Sequence, residues 1–169
     1  MAAVRGSLRD ARWICFLLAI VVIVVDRWSK LWVVAHIKAG SAITIIPHVF
    51  RLTHVLNFGA AFSMFAESTS PNVVRNMLIA FSTLACLVVL VLILRWGKRF
   101  SLTSFSLALI LGGAIGNLYD RIRLQHVVDF LEVHIGSYHW PDFNIADSAI
   151  VVGACLLLLE AFLPQKNSR

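Results

Sequence analysis

Four runs of roughly twenty apolar residues dominate this chain, and a water-soluble fold of 169 residues could not bury them all. They are Trp13–Ala35, Val73–Leu94, Phe100–Tyr119 and Asn144–Leu163. An α-helix rises about 1.5 Å per residue, so each run matches a hydrocarbon core of about 30 Å. The first is interrupted by a cluster from Asp26 to Lys30. The fourth carries Asp147 near its start and Glu160 near its end, and Pro164 then stops the helix. The chain is 59% hydrophobic and 14% charged, far from the roughly one-quarter charged composition of a soluble domain. The expectation is an α-helical polytopic membrane protein, residues 1–169 forming one domain of four transmembrane helices. The N-terminus has the charge and apolar run of a secretory signal, but no small-residue cleavage site follows, so it reads as a retained first span.

Lys and Arg near span ends set orientation. One side holds Arg5, Arg9, Arg12, Arg95, Lys98, Arg99, Lys166 and Arg169; the other holds Lys38, Arg51, Arg75, Arg121 and Arg123. The richer side, with both termini and the turn Arg95–Arg99, is expected to face the cytoplasm. The longer connections, 36–72 and 120–143, then face outward. Asp26 follows Arg12 by 14 residues, or roughly 21 Å along a helix, which lifts it toward the outer leaflet. The outer connections carry pattern. Ala42–Leu56 reads as extended strands broken at Pro47, and Gly59–Ala66 as a short interfacial helix. Val127–Ile135 alternates like a strand, with a turn at Gly136-Ser137 before Tyr138–Phe143. A small extracytoplasmic β-sheet is expected.

A net charge of +6 raises nucleic acid as a partner, but the cations sit in short clusters at span ends, not in a stripe interleaved with aromatics, so the reading is no nucleic acid. Cys15, Cys86 and Cys155 lie inside apolar runs and read as packing residues. There is no His-Glu-x-x-His helix, zinc-spaced cysteine pair or Gly-x-Ser-x-Gly elbow. His126, His134 and His139 gather near Asp129, but the reading assigns no metal and no cofactor.

Charge at a membrane edge is costly, which makes Asp129 and Asp147 the leading candidates for chemistry. With period 2, Val127, Asp129, Leu131 and Val133 share one strand face and Phe130, Glu132 and His134 the other. Asp129 is then one charge on an apolar face, or else a solvated strand edge. Asn144 suits a helix N-cap with Asp147 three residues on, which explains both without chemistry. Gly113, Asn117, Asp120 and Arg121 form one helical stripe, readable as tight packing with polar glue or as a site wall. Asp26 and Lys30 are an i, i+4 pair that at the least neutralises itself. Asn57 precedes Gly59 at a turn and offers a polar group to an extended peptide. A transporter lined by Asp26, Lys30, Asp129 and Asp147, a histidine-metal hydrolase, and a non-catalytic chaperone remain alternatives to paired-aspartate hydrolysis.

Five stretches occur together and in order: Asp26-Arg27-Trp28-Ser29-Lys30, Asn57-Phe58-Gly59-Ala60-Ala61-Phe62-Ser63, Gly113 to Arg121, Val127-Val128-Asp129-Phe130, and Phe143-Asn144-Ile145-Ala146-Asp147-Ser148. In this the chain resembles signal peptidase II, the bacterial lipoprotein signal peptidase family, over about residues 13–163. The resemblance implies four transmembrane helices with a small extracytoplasmic sheet and an interfacial helix. It implies Asp129 and Asp147 as the catalytic dyad, with Asn57, Asn117, Arg121 and Asn144 at the polar site and Asp26 and Lys30 on the first span. Gly59, Gly113, Asp120 and Ala146 lie in the same motifs and are expected to support the site. The implied substrate is a prolipoprotein whose cysteine carries diacylglyceryl, cut just before that cysteine. Implied too are membrane lipid as a partner, inhibition by globomycin, a monomer, and a place in the bacterial inner membrane with the site toward the extracytoplasmic face. Arg27 stands where Gln is frequent, and Leu56 where an aromatic or basic residue is common.

Overall fold

A computed structural model describes residues 10–59 and 71–163. In chain order the elements are α1 (Arg12–His36), β1 (Ala42–Ile46), β2 (Phe50–Asn57), α2 (Pro71–Trp96), α3 (Leu102–Arg123), β3 (Val127–Ile135), β4 (Tyr138–His139) and α4 (Ile145–Phe162). The four expected helices are present, each within a few residues of its expected bounds. Among the described residues, α2, α3 and α4 are long and apolar enough to cross a membrane. α1 is as long but holds Asp26, Arg27 and Lys30 within its apolar run.

α3 is the hub, packed against α1, α2 and α4. Its glycines allow that. A Cβ on Gly112 would lie 2.7 Å from Val22 Cβ of α1, and one on Gly113 would collide with the Ala146 carbonyl oxygen of α4. Without a strong hydrophobic force between helices in lipid, such close backbone approach is what holds spans together. Leu17, Ile20 and Val24 of α1, Phe81, Leu84 and Val88 of α2, and Val151 and Leu158 of α4 are exposed, the apolar girdle that a bilayer would cover. The buried interior between helices is small: Cys15, Ala19, Val89, Ile93, Leu107, Ala108 and Leu111 form one cluster.

The two ends of the bundle differ. At one, the start of α1 meets the α2–α3 turn, with Ala11 N donating to the Lys98 carbonyl at 3.2 Å, and Thr103 donates to Glu160 between α3 and α4. At the other lies an antiparallel sheet of order β1-β2-β3-β4. Val128 and Phe130 of β3 pack on Val33 and Ile37 at the end of α1 and seat the sheet on the helices. A bulge between Leu52 and Val55 gives β2 an extra residue, after which Val55 faces Asp129 and Asn57 faces Val127.

Three expectations need comment. Within Tyr138–Phe143, the stretch after the expected turn, strand covers only Tyr138–His139, because Pro141 has no N–H for a ladder; Phe143 rejoins through a bridge to Leu131. The interfacial helix at Gly59–Ala66 falls on residues 60–66, outside those described, as do Arg5, Arg9, Pro164, Lys166 and Arg169. The histidines separate: His126 lies against Phe58 with the rings tilted at 55° and their centroids 5.5 Å apart, while His134 and His139 meet at Glu132. Distance along β3 explains the split, since eight residues at about 3.3 Å each separate His126 from His134 by roughly 26 Å.

Candidate active site

Asn144 is the joint of the site. Its backbone is extended (φ −135°, ψ −176°) just before α4, and its side-chain oxygen accepts from Asp147 N at 3.0 Å while Asp147 Oδ2 accepts from Asn144 N at 3.2 Å. That is the reciprocal capping box expected from the spacing. The cap leaves the Asn144 amide free to turn toward β3, where Nδ2 donates to Asp129 Oδ1 at 2.7 Å. One residue thus binds both acids. Helix capping and a paired-carboxylate site are not alternatives for Asn144 and Asp147; the geometry contains both.

The remaining carboxylate oxygens are also held. Asn57 Nδ2 donates to Asp129 Oδ2 at 2.8 Å, from the end of β2. Asn117 Nδ2 donates to Asp147 Oδ1 at 2.7 Å, from the stripe on α3. Asp129 and Asp147 line the same cavity of about 750 Å³, whose apolar walls include Leu78 and Phe81 of α2, Ile110 and Ala114 of α3 and Val151 of α4. Burial first, and then the neighbouring Asp147 carboxylate, push the Asp129 carboxyl up to about 7, against the opposing pull of the Asn57 and Asn144 amides and Lys30. Two carboxyls that close, one titrating near neutrality, can hold one proton between them and act as acid and base on a water.

Beneath the acids lies a second polar layer. Lys30 Nζ meets Asp26 Oδ2 at 2.8 Å, Asp120 Oδ2 at 2.8 Å and Asn117 Oδ1 at 3.0 Å, with all three charged groups buried. Asp26 Oδ1 accepts from Ala146 N at 2.9 Å, satisfying an otherwise orphan donor at the start of α4. The i, i+4 pair on α1 is therefore more than a self-neutralising couple. It reaches α3 and α4 and fixes Asn117, which holds Asp147. Gly116 makes room, since a Cβ there would lie 2.8 Å from Asp26 Oδ2.

Arg121 lines the cavity, and its guanidinium points to the main-chain oxygens of Asn117 (3.4 Å) and Gly59 (3.5 Å) rather than to a carboxylate. Gly59 N in turn donates to Asn57 Oδ1 at 2.9 Å. Gly113 sets the α3–α4 approach, and Ala146 is fully buried. Arg27 lies over the Tyr119 ring at 5.1 Å and 3.5 Å from Asp120, and Leu56 is exposed, so neither departure from the family pattern touches the two acids. Every site residue singled out in the sequence has thus a place in or directly behind the cavity. Reasoning from sequence missed Gly116, Trp140 and Asp142. Gly116 was legible as part of the small-residue stripe; the other two carry no pattern, and Trp140 and Asp142 reach the wall through an irregular segment, where Asp142 accepts from the Thr53 hydroxyl.

A model of the signal peptidase (SPase) II family matches residues 18–163. The lipoprotein signal peptidase of Francisella tularensis subsp. novicida (strain U112) is 40% identical over 154 residues, covering 90% of this chain and 94% of that one. Its counterpart from Yersinia enterocolitica is 39% identical over 152 residues, covering 90% and 87%. A solved bacterial membrane enzyme matches with a TM-score of 0.77 at 25% identity over 89% of this chain and 93% of its own. Another, at TM-score 0.80 and 24% identity over 92% and 91%, shares the fold. An arrangement of a buried and a half-buried aspartate facing one apolar cavity among membrane helices, in a sequence so matched, places the chain in the signal peptidase II family, the multi-pass membrane endopeptidases of the aspartic type that act on prolipoproteins.

Proposed function

We propose that Asp129 and Asp147 are the catalytic dyad and that residues 1–169 act as one membrane-embedded peptidase domain of the bacterial inner membrane. Its substrate is a diacylglyceryl-modified prolipoprotein, cut just before the lipidated cysteine. The observation that carries this reading is Asn144, whose side-chain amide donates to the Asp129 carboxylate while its backbone N–H donates to that of Asp147. In this reading α1 is the fourth span. Its charges are tolerable because Asp26 and Lys30 are buried against α3 and α4 instead of lipid. Both termini face the cytoplasm and the sheet lies on the outer surface, with an interfacial helix after Gly59. The protein works as a monomer.

The signal helix of the substrate enters sideways between α2 and α4, both of which pack principally on α3 and leave the apolar cavity walls between them. The lipid tails remain in the bilayer. Asp129 and Asp147 share one proton at rest and titrate as a pair. The ionised member takes a proton from water as the water attacks the scissile carbonyl, and the protonated member donates to the carbonyl oxygen to give a gem-diol; the proton taken from water then passes to the leaving amine as the C–N bond breaks, and the collapsing gem-diol returns a proton to the dyad. Asn57, Asn117 and Asn144 hold the carboxylates; Arg121, set beside the Gly59 carbonyl, orients the loop and the substrate backbone. No metal or cofactor takes part. Globomycin inhibits by filling the same cavity.

The test is gel-shift cleavage of a purified diacylated precursor, with and without globomycin. Asp129→Asn and Asp147→Asn should each lower turnover by at least ~10³-fold, as loss of an acid–base group does, while inserting normally. Near-normal turnover by either variant refutes the dyad.

A further inference from the structure

Away from the cavity, on the β3–β4 hairpin, three side chains converge that the peptidase chemistry does not use. Glu132, almost fully buried at 7% side-chain exposure, has its Oε1 3.3 Å from His134 Nε2 and 2.5 Å from His139 Nε2. The potential ligand atoms of all three lie within 4.8 Å of one another. His134 and His139 face each other across the hairpin, which fixes their imidazoles side by side (ring centroids 5.2 Å apart). Alternation along β3 puts Glu132 and His134 on the face opposite Asp129, so the group is separate from the dyad.

We infer that Glu132, His134 and His139 form a binding site for one divalent transition-metal ion of the zinc type, which clamps the β3–β4 hairpin. Three observations carry this. The donor set is two imidazoles and a carboxylate, the nitrogen–oxygen combination that borderline ions such as Zn²⁺ prefer. The spacing is within small side-chain movements of a metal shell: ligands at about 2.1 Å around a tetrahedral ion stand about 3.4 Å apart, so the imidazoles, whose ligand atoms lie within 4.8 Å of each other, need close by at most about 1.4 Å and His139 need retreat from Glu132 by about 1 Å. Finally, His134 Nε2 is buried, and its contact to Glu132 Oε1 at 3.3 Å falls short of hydrogen-bond geometry while that oxygen is shared with His139. A buried imidazole nitrogen so weakly satisfied is costly, and a metal would satisfy it. Arg51, paired across the sheet with Glu132, sits 3.0 Å from the other carboxylate oxygen, Oε2, and leaves Oε1 for the ion while fixing the carboxylate plane. A fourth position opens to solvent beside the half-exposed His139.

The site would be structural. Trp140 N donates to the Val133 carbonyl at 2.9 Å, and the segment that follows, through Pro141 and Phe143, lines the cavity. Clamping β3 to β4 therefore steadies one wall of the peptide site without touching the acids.

The experiment uses the full-length protein in detergent, stripped with chelator and titrated with Co²⁺, whose d–d bands report tetrahedral or five-coordinate nitrogen–oxygen ligation. One equivalent should bind with visible bands, Zn²⁺ should displace it and raise the thermal midpoint, and Asp129→Asn should bind as the parent does. His139→Ala and His134→Ala should each weaken binding at least about tenfold. Glu132→Gln, which keeps the shape of the side chain, gives the same loss should an alanine variant fold poorly. Absence of d–d bands, or bands that persist in the His134→Ala/His139→Ala double variant, overturns the site and leaves an ion-pair cluster only. Because these residues lie outside the dyad, cleavage by His139→Ala in metal-free buffer stays at the level of the stripped parent.

Discussion

Replacing Asn144 separates capping from catalysis. Asn144 Oδ1 caps α4, while Nδ2 donates to Asp129 at 2.7 Å. Asn144→Ser keeps a good cap and loses the reach to Asp129; Asn144→Ala loses both. The cap is worth about 1 kcal/mol, and a hydrogen bond to a charged group about 1.5–3 kcal/mol. At 1.36 kcal/mol per unit, losing that donor raises the Asp129 pKa by about 1–2 units, since the Asn144 amide favours the ionised form. The sign follows directly. The dyad works with one proton and fails when the higher-pKa member ionises. With Asp129 at about 7, kcat/KM of the parent falls above neutrality, and in both variants that alkaline limb should move to roughly pH 8 or higher. Turnover at the optimum should fall about 10–100-fold through lost alignment. Asn144→Ala, which also loses the cap, should lower the thermal midpoint further than Asn144→Ser does. The assay is a pH series of precursor cleavage beside thermal unfolding in the same detergent. An alkaline limb that stays put in both variants, or moves to lower pH, refutes the role given to Asn144.

Other outcomes can be checked in the same preparation. Lys30→Met leaves Asp26 and Asp120 buried without their cation and should cost about 3–5 kcal/mol, seen as loss of folded yield; adding Asp26→Asn and Asp120→Asn should restore much of it. Gly113→Ala drives a methyl into the Ala146 carbonyl and against Ile150, so α3 and α4 must part at a cost of about 1–3 kcal/mol, with a lower midpoint and reduced cleavage. Arg121→Gln should raise KM more than it lowers kcat, because the guanidinium holds the Gly59 and Asn117 main chain rather than either acid.

The helices were legible because their signal is long: twenty apolar residues in a row admit few readings. The capping box at Asn144 was legible because its residues are three apart on one chain. The reach of Asn144 to Asp129 was not, since a cap residue with a second partner 15 positions away has no local pattern. Likewise the Asp26–Lys30 spacing announced a pair, while its contacts to Asp120, Asn117 and the Ala146 amide depend on how three helices cross. The turn at Gly136-Ser137 was legible, but how far the return strand would run was not: it ends after His139, ahead of Pro141, which has no N–H for a ladder. Glu132 was assigned to a face by alternation, but nothing local told that this face would be closed over by Arg51 and two imidazoles.

The Asp26 carboxylate on the Ala146 amide has a consequence for biogenesis. A first helix released alone into lipid would carry an aspartate and a lysine with no companions beyond each other. Only when the third and fourth helices arrive do those groups find lasting partners, and the same arrival brings Asn117 to Asp147. Completion of the enzyme and comfortable residence of its leading helix are therefore one event, and a copy that stalls halfway advertises itself to membrane quality control by an unsheltered charge.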